Sequence, residues 1–224
     1  MRRRDLLIGG AAALSIGPAM RAAAASDLPY GGELRFQVLR DGSAFGTHVL
    51  RFSRAGGRIV VDGTIDLAVR LAFITVFRYT HRKREVWEGD RLVAFDATTD
   101  DDGTTYVVKV RPEGDRLRVE GWEGPHFVAA DVPAASYWRP RMILWPTLIN
   151  TQYGNIEEPK ITDLGIETVT AGGRSVRGSR HSVVGRWGTF DTWYAGEEWL
   201  KLSSSVRGSV IDYVRLTPVP DGVG

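Results

Sequence analysis

The feature that most constrains this chain is a turn signal that returns again and again, with alternating apolar and polar residues in between. Asp41-Gly42, Ala55-Gly56-Gly57, Glu88-Gly89-Asp90, Asp102-Gly103, Pro112-Glu113-Gly114-Asp115, Ala171-Gly172-Gly173 and Arg207-Gly208-Ser209 are such signals. Each places glycine where a tight hairpin asks for positive φ. Between them, Leu34, Phe36 and Val38 alternate with Arg35 and Gln37, and His48, Leu50 and Phe52 alternate with Val49 and Arg51. Ile65, Leu67 and Val69 fall on one side of a strand, and Asp62, Asp66 and Arg70 on the other. A period of two describes strands with one buried face. The expected class is therefore all-β, an antiparallel meander of about a dozen strands forming a curved sheet or open barrel.

One strand carries unusual cargo. Phe77, Tyr79, His81, Lys83, Glu85 and Trp87 share a face, and Val76, Arg78, Thr80, Arg82 and Arg84 share the other. A histidine, a lysine and a glutamate between aromatics do not describe a plain apolar core. The arginines Arg78, Arg82 and Arg84 read either as a solvated edge or as a contact for an anionic lipid or polymer.

The run from Ser136-Tyr137-Trp138 to Asn150-Thr151-Gln152-Tyr153-Gly154 breaks the alternation. Pro140 suits the start of a helical turn, where its missing N–H costs nothing. Leu144 and Leu148, and Trp145 and Ile149, are four apart, while Pro146 restricts any helix to short turns. The expectation is one short helical or irregular insert lying over or across the sheet.

Residues 1–25 read as an export signal rather than as part of the domain. Paired arginines at Arg3-Arg4 precede Leu6-Leu7, an Ala/Gly-rich apolar segment follows to Ile16, and Ala22-Ala23-Ala24-Ala25-Ser26 offers a cleavage region. The paired arginines and weakly apolar core point to the twin-arginine machinery, with an ordinary secretory signal as the alternative. Residues 26–224 then form a single β-rich domain acting in the periplasm of a bacterium. No apolar run approaches the roughly 20 residues needed to span a bilayer as a helix, so no transmembrane segment is expected in residues 26–224. The first 25 residues hold four Arg and one Asp, so the whole-chain charge of +2 becomes −1 for the remainder. Nucleic acid is accordingly not an expected partner. The chain has no cysteine, which removes thiol catalysis, thiolate metal sites and disulfides.

Phe77-Arg78-Tyr79-Thr80-His81, Glu85-Val86-Trp87, Phe95-Asp96-Ala97-Thr98-Thr99, Ser136-Tyr137-Trp138, Leu148-Ile149-Asn150-Thr151-Gln152 and Asp191-Thr192-Trp193-Tyr194 with Trp199 form a pattern across residues 26–224. It resembles a group of exported bacterial proteins known as a domain of unknown function, itself distantly similar to a larger set of periplasmic β-rich proteins. The resemblance implies a curved antiparallel sheet wrapping into an open barrel, and it implies no catalytic residues.

Chemistry is sparsely signalled. His48, His81, His126 and His181 lack local zinc spacing, and Asp100-Asp101-Asp102-Gly103 fails the calcium-loop pattern because Arg111 stands where the twelfth ligand belongs. Neither a metal nor a cofactor is expected. No nucleophile elbow or phosphate loop is present. Glu85 and Asp96 could form a carboxylate pair across a hairpin. The stronger clue is aromatic: the chain has seven Trp, seven Tyr and eight Phe. Candidate ligand-binding residues are His81, Trp87, Trp138, Trp145, Asn150, Gln152, Asp191, Trp193 and Tyr194, which would line the mouth of a β-barrel around a lipid or small apolar molecule. Two other readings stand beside this one. They are a periplasmic hydrolase using His81 or carboxylates, and an interaction module whose aromatics are all core.

Overall fold

The computed structural model describes residues 28–186 and 188–224. The export-signal reading of residues 1–25 lies outside the described residues. After a turn at Pro29–Gly32 the chain runs through β1 (Glu33–Arg40), β2 (Ser43–Ala55), β3 (Arg58–Leu71), β4 (Ile74–Glu88), β5 (Arg91–Asp101), β6 (Thr104–Glu113), β7 (Arg116–Glu120) and β8 (His126–Ala129). The insert follows, with a 3-10 helix at Pro140–Leu144 and the short pair β9 (Leu148–Ile149) and β10 (Ile156–Glu157). The chain then completes β11 (Lys160–Ala171), β12 (Arg174–Gly185), β13 (Gly188–Ala195), β14 (Glu198–Val206) and β15 (Ser209–Arg215).

Thirteen of these strands form one antiparallel sheet in the order β11-β12-β13-β14-β15-β1-β2-β3-β4-β5-β6-β7-β8. Each neighbour is joined by a hairpin except at one seam. There β15 pairs with β1, matching Phe36 to Arg215 and Val38 to Tyr213, so the two halves of the chain meet in mid-sheet. β8 and β11 are the two edges, and the curved sheet does not close between them.

Alternation decides which face curls inward. Leu34, Phe36, Leu50, Phe52, Val61, Trp87, Phe95, Ala97, Val108, Val110, Leu117 and Val119 form the concave core. The expected short helical insert occupies this concavity. Trp138, Ala134 and Ile149 of the insert belong to the same core. Leu144 and Leu148 do not share a helix face: Leu144 is exposed and Leu148 buried, because the 3-10 helix stops ahead of Trp145, which is extended, and Pro146 follows. Two glycines seat the far end of the insert. A Cβ on Gly121 would lie 2.4 Å from the Tyr153 carbonyl oxygen, and one on Gly154, at φ +78°, 2.9 Å from the Gly121 Cα. Only glycine allows so close a backbone approach.

A second, smaller core lies on the opposite face. β11 packs back against β14 and β15, so Val169, Ala171 and Val176 cover Trp193, Ala195, Leu200 and Val219. With both faces covered here, consecutive residues can both be buried, Tyr194 and Trp199 in the first core and Trp193 and Leu200 in the second.

Candidate functional site

The concave face of β4 positions the candidate site. Its inward residues run in register with those of β3: Trp87 opposite Ile59, Glu85 opposite Val61, Lys83 opposite Gly63, His81 opposite Ile65 and Tyr79 opposite Leu67. Gly63 is the position that makes room for a lysine. A Cβ there would sit 2.8 Å from both Cγ and Cε of Lys83, so the lysine stem lies across the bare backbone of β3.

Lys83 thereby reaches a buried anion. Its Nζ is 2.7 Å from Glu85 Oε1, and the two side chains are 7% and 0% exposed. Glu85 also accepts from the indole N–H groups of Trp87 at 2.7 Å and Trp138 at 3.2 Å, and from the Ser136 hydroxyl. Lys83 donates to Ser136 Oγ at 3.1 Å. Burial pushes the Glu85 carboxyl upward, but the Lys83 ammonium and these hydrogen bonds outweigh it and hold the group below the ordinary glutamate value. A buried charge stripped of such partners is strongly destabilising. The cluster therefore clips the insert to β4. Further out, Tyr30 donates to the Trp138 carbonyl at 2.6 Å. The Arg139 guanidinium lies 4.3 Å from the Trp87 ring centre and pairs with Asp90. This end of the lumen is filled.

The other end is less covered. At the level of the β1–β2, β3–β4, β5–β6 and β14–β15 turns, inward-facing Leu67, Tyr79, Phe190, Tyr213 and the insert's Tyr137 are half-buried rather than buried. Tyr137 stands edge-on to Phe190, with ring centres 4.8 Å apart. Tyr79 donates to Gln152 Oε1 at 3.0 Å. Beneath this aromatic rim sit two histidines. His81, 3% exposed, has Nδ1 2.7 Å from Thr99 Oγ1. His48, 5% exposed, lies between Phe36, Trp199 and Tyr213, with ring centres 6.2, 5.8 and 5.7 Å away. Neither of its ring nitrogens has a hydrogen-bond partner among the described residues. Burial, then the positive charge of Lys83, keep both rings neutral. His81 is lowered to about 3, and His48 well below the usual histidine value. Burial also raises the Tyr79 and Tyr137 hydroxyls, and raises that of Tyr213 to about 12.

The residues expected from sequence divide by place. Trp87, Trp138 and Tyr194 are core within the lumen, and His81 lies above them. Asn150 and Gln152 are at the open end. Asn150 Oδ1 accepts from the backbone N–H groups of Gln152 and Tyr153, both at 2.9 Å, and its amide donates to Glu157 at 3.1 Å. Trp145 lies at the filled end, beside a crevice of about 10 Å³ shared with Trp87, Pro133 and Met142. Asp191 and Trp193 face away from the lumen, Asp191 accepting from Arg180 Nε at 3.0 Å. Glu85 and Asp96 do not pair, since Glu85 stands opposite Phe95 and Asp96 opposite Arg84, which sends the two carboxylates to opposite faces. His48, Tyr79, Tyr137, Phe190 and Tyr213 complete the open end without having been singled out as ligand residues. For His48 the signal existed, because it alternates with Leu50 and Phe52. For Tyr213 it lay in the β1–β15 seam, which no local pattern encodes.

Fold and site together define an open β-barrel-like protein with one plugged end and one aromatic, half-exposed end. Residues 36–216 match the model of the domain of unknown function DUF6134, and the chain belongs to that family. Among solved structures it is similar to the crystal structure of a β-barrel-like protein of domain of unknown function DUF1849 from Brucella abortus. The TM-score is 0.61 at 8% identity, over 84% of this chain and 97% of that one. At that identity the likeness concerns the fold alone. No curated protein matches the chain. Among the described residues, no helix is long and apolar enough to cross a membrane.

Proposed function

We propose that the chain is a periplasmic binding or carrier protein that holds an apolar or amphipathic molecule at the open end of its lumen. In this reading residues 1–25 direct export through the twin-arginine machinery and residues 26–224 do the binding. The single observation that carries it is the set of inward-facing Tyr79, Tyr137, Phe190 and Tyr213 left half-buried at the end of the lumen that holds His48, whose two ring nitrogens have no hydrogen-bond partner among the described residues. Aromatic walls with a few polar groups suit a small ligand. A neutral imidazole offers one donor and one acceptor, which fits the hydroxyl, amide or protonated acid end of an amphipathic molecule.

Hydrolysis fits less well. Ser136 is 0% exposed, its hydroxyl is taken up by Glu85 and Lys83, and the partner of His81 is Thr99 rather than a carboxylate. A general base must come within hydrogen-bond reach of its substrate.

Titration of the purified chain with a fluorescent long-chain fatty acid tests the reading. Saturable binding is expected, weakened about tenfold or more by Phe190→Ala, which removes one aromatic wall. Binding that is absent, or unchanged in Phe190→Ala and His48→Phe alike, would overturn it.

A further inference from the structure

The β3–β4 hairpin is longer than the sheet that holds it. On one side, pairing with β2 ends at Gly46 opposite Leu67. On the other, pairing with β5 ends at Tyr79 opposite Asp101. Yet β3 and β4 continue to pair with each other from Ala68 opposite Arg78 to Leu71 opposite Ile74. Residues 69–77 therefore extend past the rim as a two-stranded ribbon, with Arg78 at its base bonded to Asp102. At a rise of about 3.3 Å per residue, its tip projects on the order of 13 Å past the mouth of the lumen.

The ribbon's chemistry is the reverse of a solvated loop. Phe73 is 105% exposed, Ile74 68% and Val76 52%. Its turn uses none of the usual hairpin residues: Ala72 takes φ +53°, a left-handed conformation that favours Gly, Asn or Asp. A lone two-stranded hairpin is marginal in water, and exposed apolar clusters mark interaction sites. Immediately behind the tip, Arg70 and Arg78 line an outer-face hollow of about 470 Å³ with Gln37, Thr47 and Thr80. Asp66 also borders it, but Asp66 is engaged by Arg82 at 2.5 Å. Neither Arg70 nor Arg78 has an ion-pair partner among the described residues, unlike Arg82 and Arg84. Asp100–Asp102 lie at the ribbon's base, where Asp102 accepts from the Arg78 backbone N–H at 3.3 Å. That acidic turn would keep the barrel body off an anionic surface and leave the tip to reach it.

We propose that the β3–β4 ribbon is a membrane-docking device: Phe73, Ile74 and Val76 enter the interface of an anionic bilayer, and Arg70 and Arg78 hold the lipid phosphates at its base. Apolar insertion combined with arginine attraction is the general recipe for reversible interfacial binding. The ribbon carries Val69 and Phe77 on the lumen side, with Phe77 stacked on Phe45 at 6.1 Å, so docking would bring the lumen mouth to the bilayer. This inference does not depend on the lumen binding anything.

The chain is free of cysteine, so Phe73→Cys labelled with an environment-sensitive fluorophore reports on the tip alone. Val107→Cys, exposed on β6, is the control. With equimolar phosphatidylglycerol and phosphatidylcholine vesicles, the Phe73 label should brighten and shift to the blue while the control stays aqueous. Co-sedimentation with the same vesicles should fall at least tenfold for Phe73→Asp/Ile74→Asp. It should fall about fivefold for each of Arg70→Ala and Arg78→Ala, taking about one basic-residue contribution apiece. Pure phosphatidylcholine should bind much less. Equal sedimentation of the tip variant and the parent would overturn the proposal. A label that responds to protein concentration without vesicles would overturn it too, because the tip would then be joining a second copy of the chain.

Discussion

The two ends of the lumen are built from the same strands and the same inward face, yet they differ in how far their aromatics are covered and in how their polar groups are paired. At one end, Trp87, Trp138, Ser136 and Lys83 converge on Glu85, and the insert is clipped in place. At the other, Tyr79, Tyr137, Phe190 and Tyr213 stand around His48 and His81 with their surfaces only partly covered. The insert explains the difference. Its Trp138 side reaches deep between β2 and β4, where Trp138 meets Phe52 at 5.1 Å and Trp87 at 6.3 Å, whereas its Asn150–Tyr153 side is folded on itself by the Asn150 side chain. A polar cluster that satisfies itself makes an anchor. One left unsatisfied beside aromatic surface is where the proposed ligand would sit.

The sharpest way to break this contrast is to remove the anchor. Glu85→Ala leaves the Lys83 ammonium and two indole N–H groups buried without their acceptor, and should cost about 3–5 kcal/mol in urea unfolding. A cost below about 1 kcal/mol would mean that the insert is held by apolar packing instead. Acid should act nearly as strongly on the open end. His48 and His81 both titrate lower in the folded chain than the ordinary 6.5, so the unfolded chain binds more protons once the pH drops below that value. Stability should therefore fall as pH falls, by about 3 kcal/mol between pH 6.5 and pH 5 for the two together. His48→Phe should halve that slope, which unfolding titrations at several pH values would show.

Much of this architecture was legible in the sequence. Alternation at Leu34–Val38 and Ile65–Val69, with glycine at the turns, specified an antiparallel meander, and the odd face of β4 was visible as His81, Lys83 and Glu85 between aromatics. What those three residues do was not legible. Glu85 and Ser136 are separated by 51 positions, and their meeting depends on how the insert enters the lumen. Trp193 and Asp191 misled for a related reason. Aromatic richness says that a residue is buried but not in which core, and the curl of β11 onto β14 creates a second one.

Smaller effects sharpen the contrast further. Trp138→Phe keeps most of the ring's burial and deletes its hydrogen bond to Glu85, so it should cost about 2 kcal/mol by the same urea assay. Tyr213→Phe at the open end should change stability by no more than about 0.5 kcal/mol, since the Tyr213 hydroxyl makes no hydrogen bond within the described residues. It should nonetheless weaken binding of a fatty-acid probe that reaches the histidines. Equal stability costs at the two positions would erase the distinction between the anchored end and the open end.

The most direct measurement is native mass spectrometry of the chain purified from its own host under gentle conditions. A retained small molecule or lipid, lost in Phe190→Ala while the fold stays intact, is the expected result. A bare protein mass for the parent chain, or a ligand kept equally by the variant, would contradict binding at the open end of the lumen.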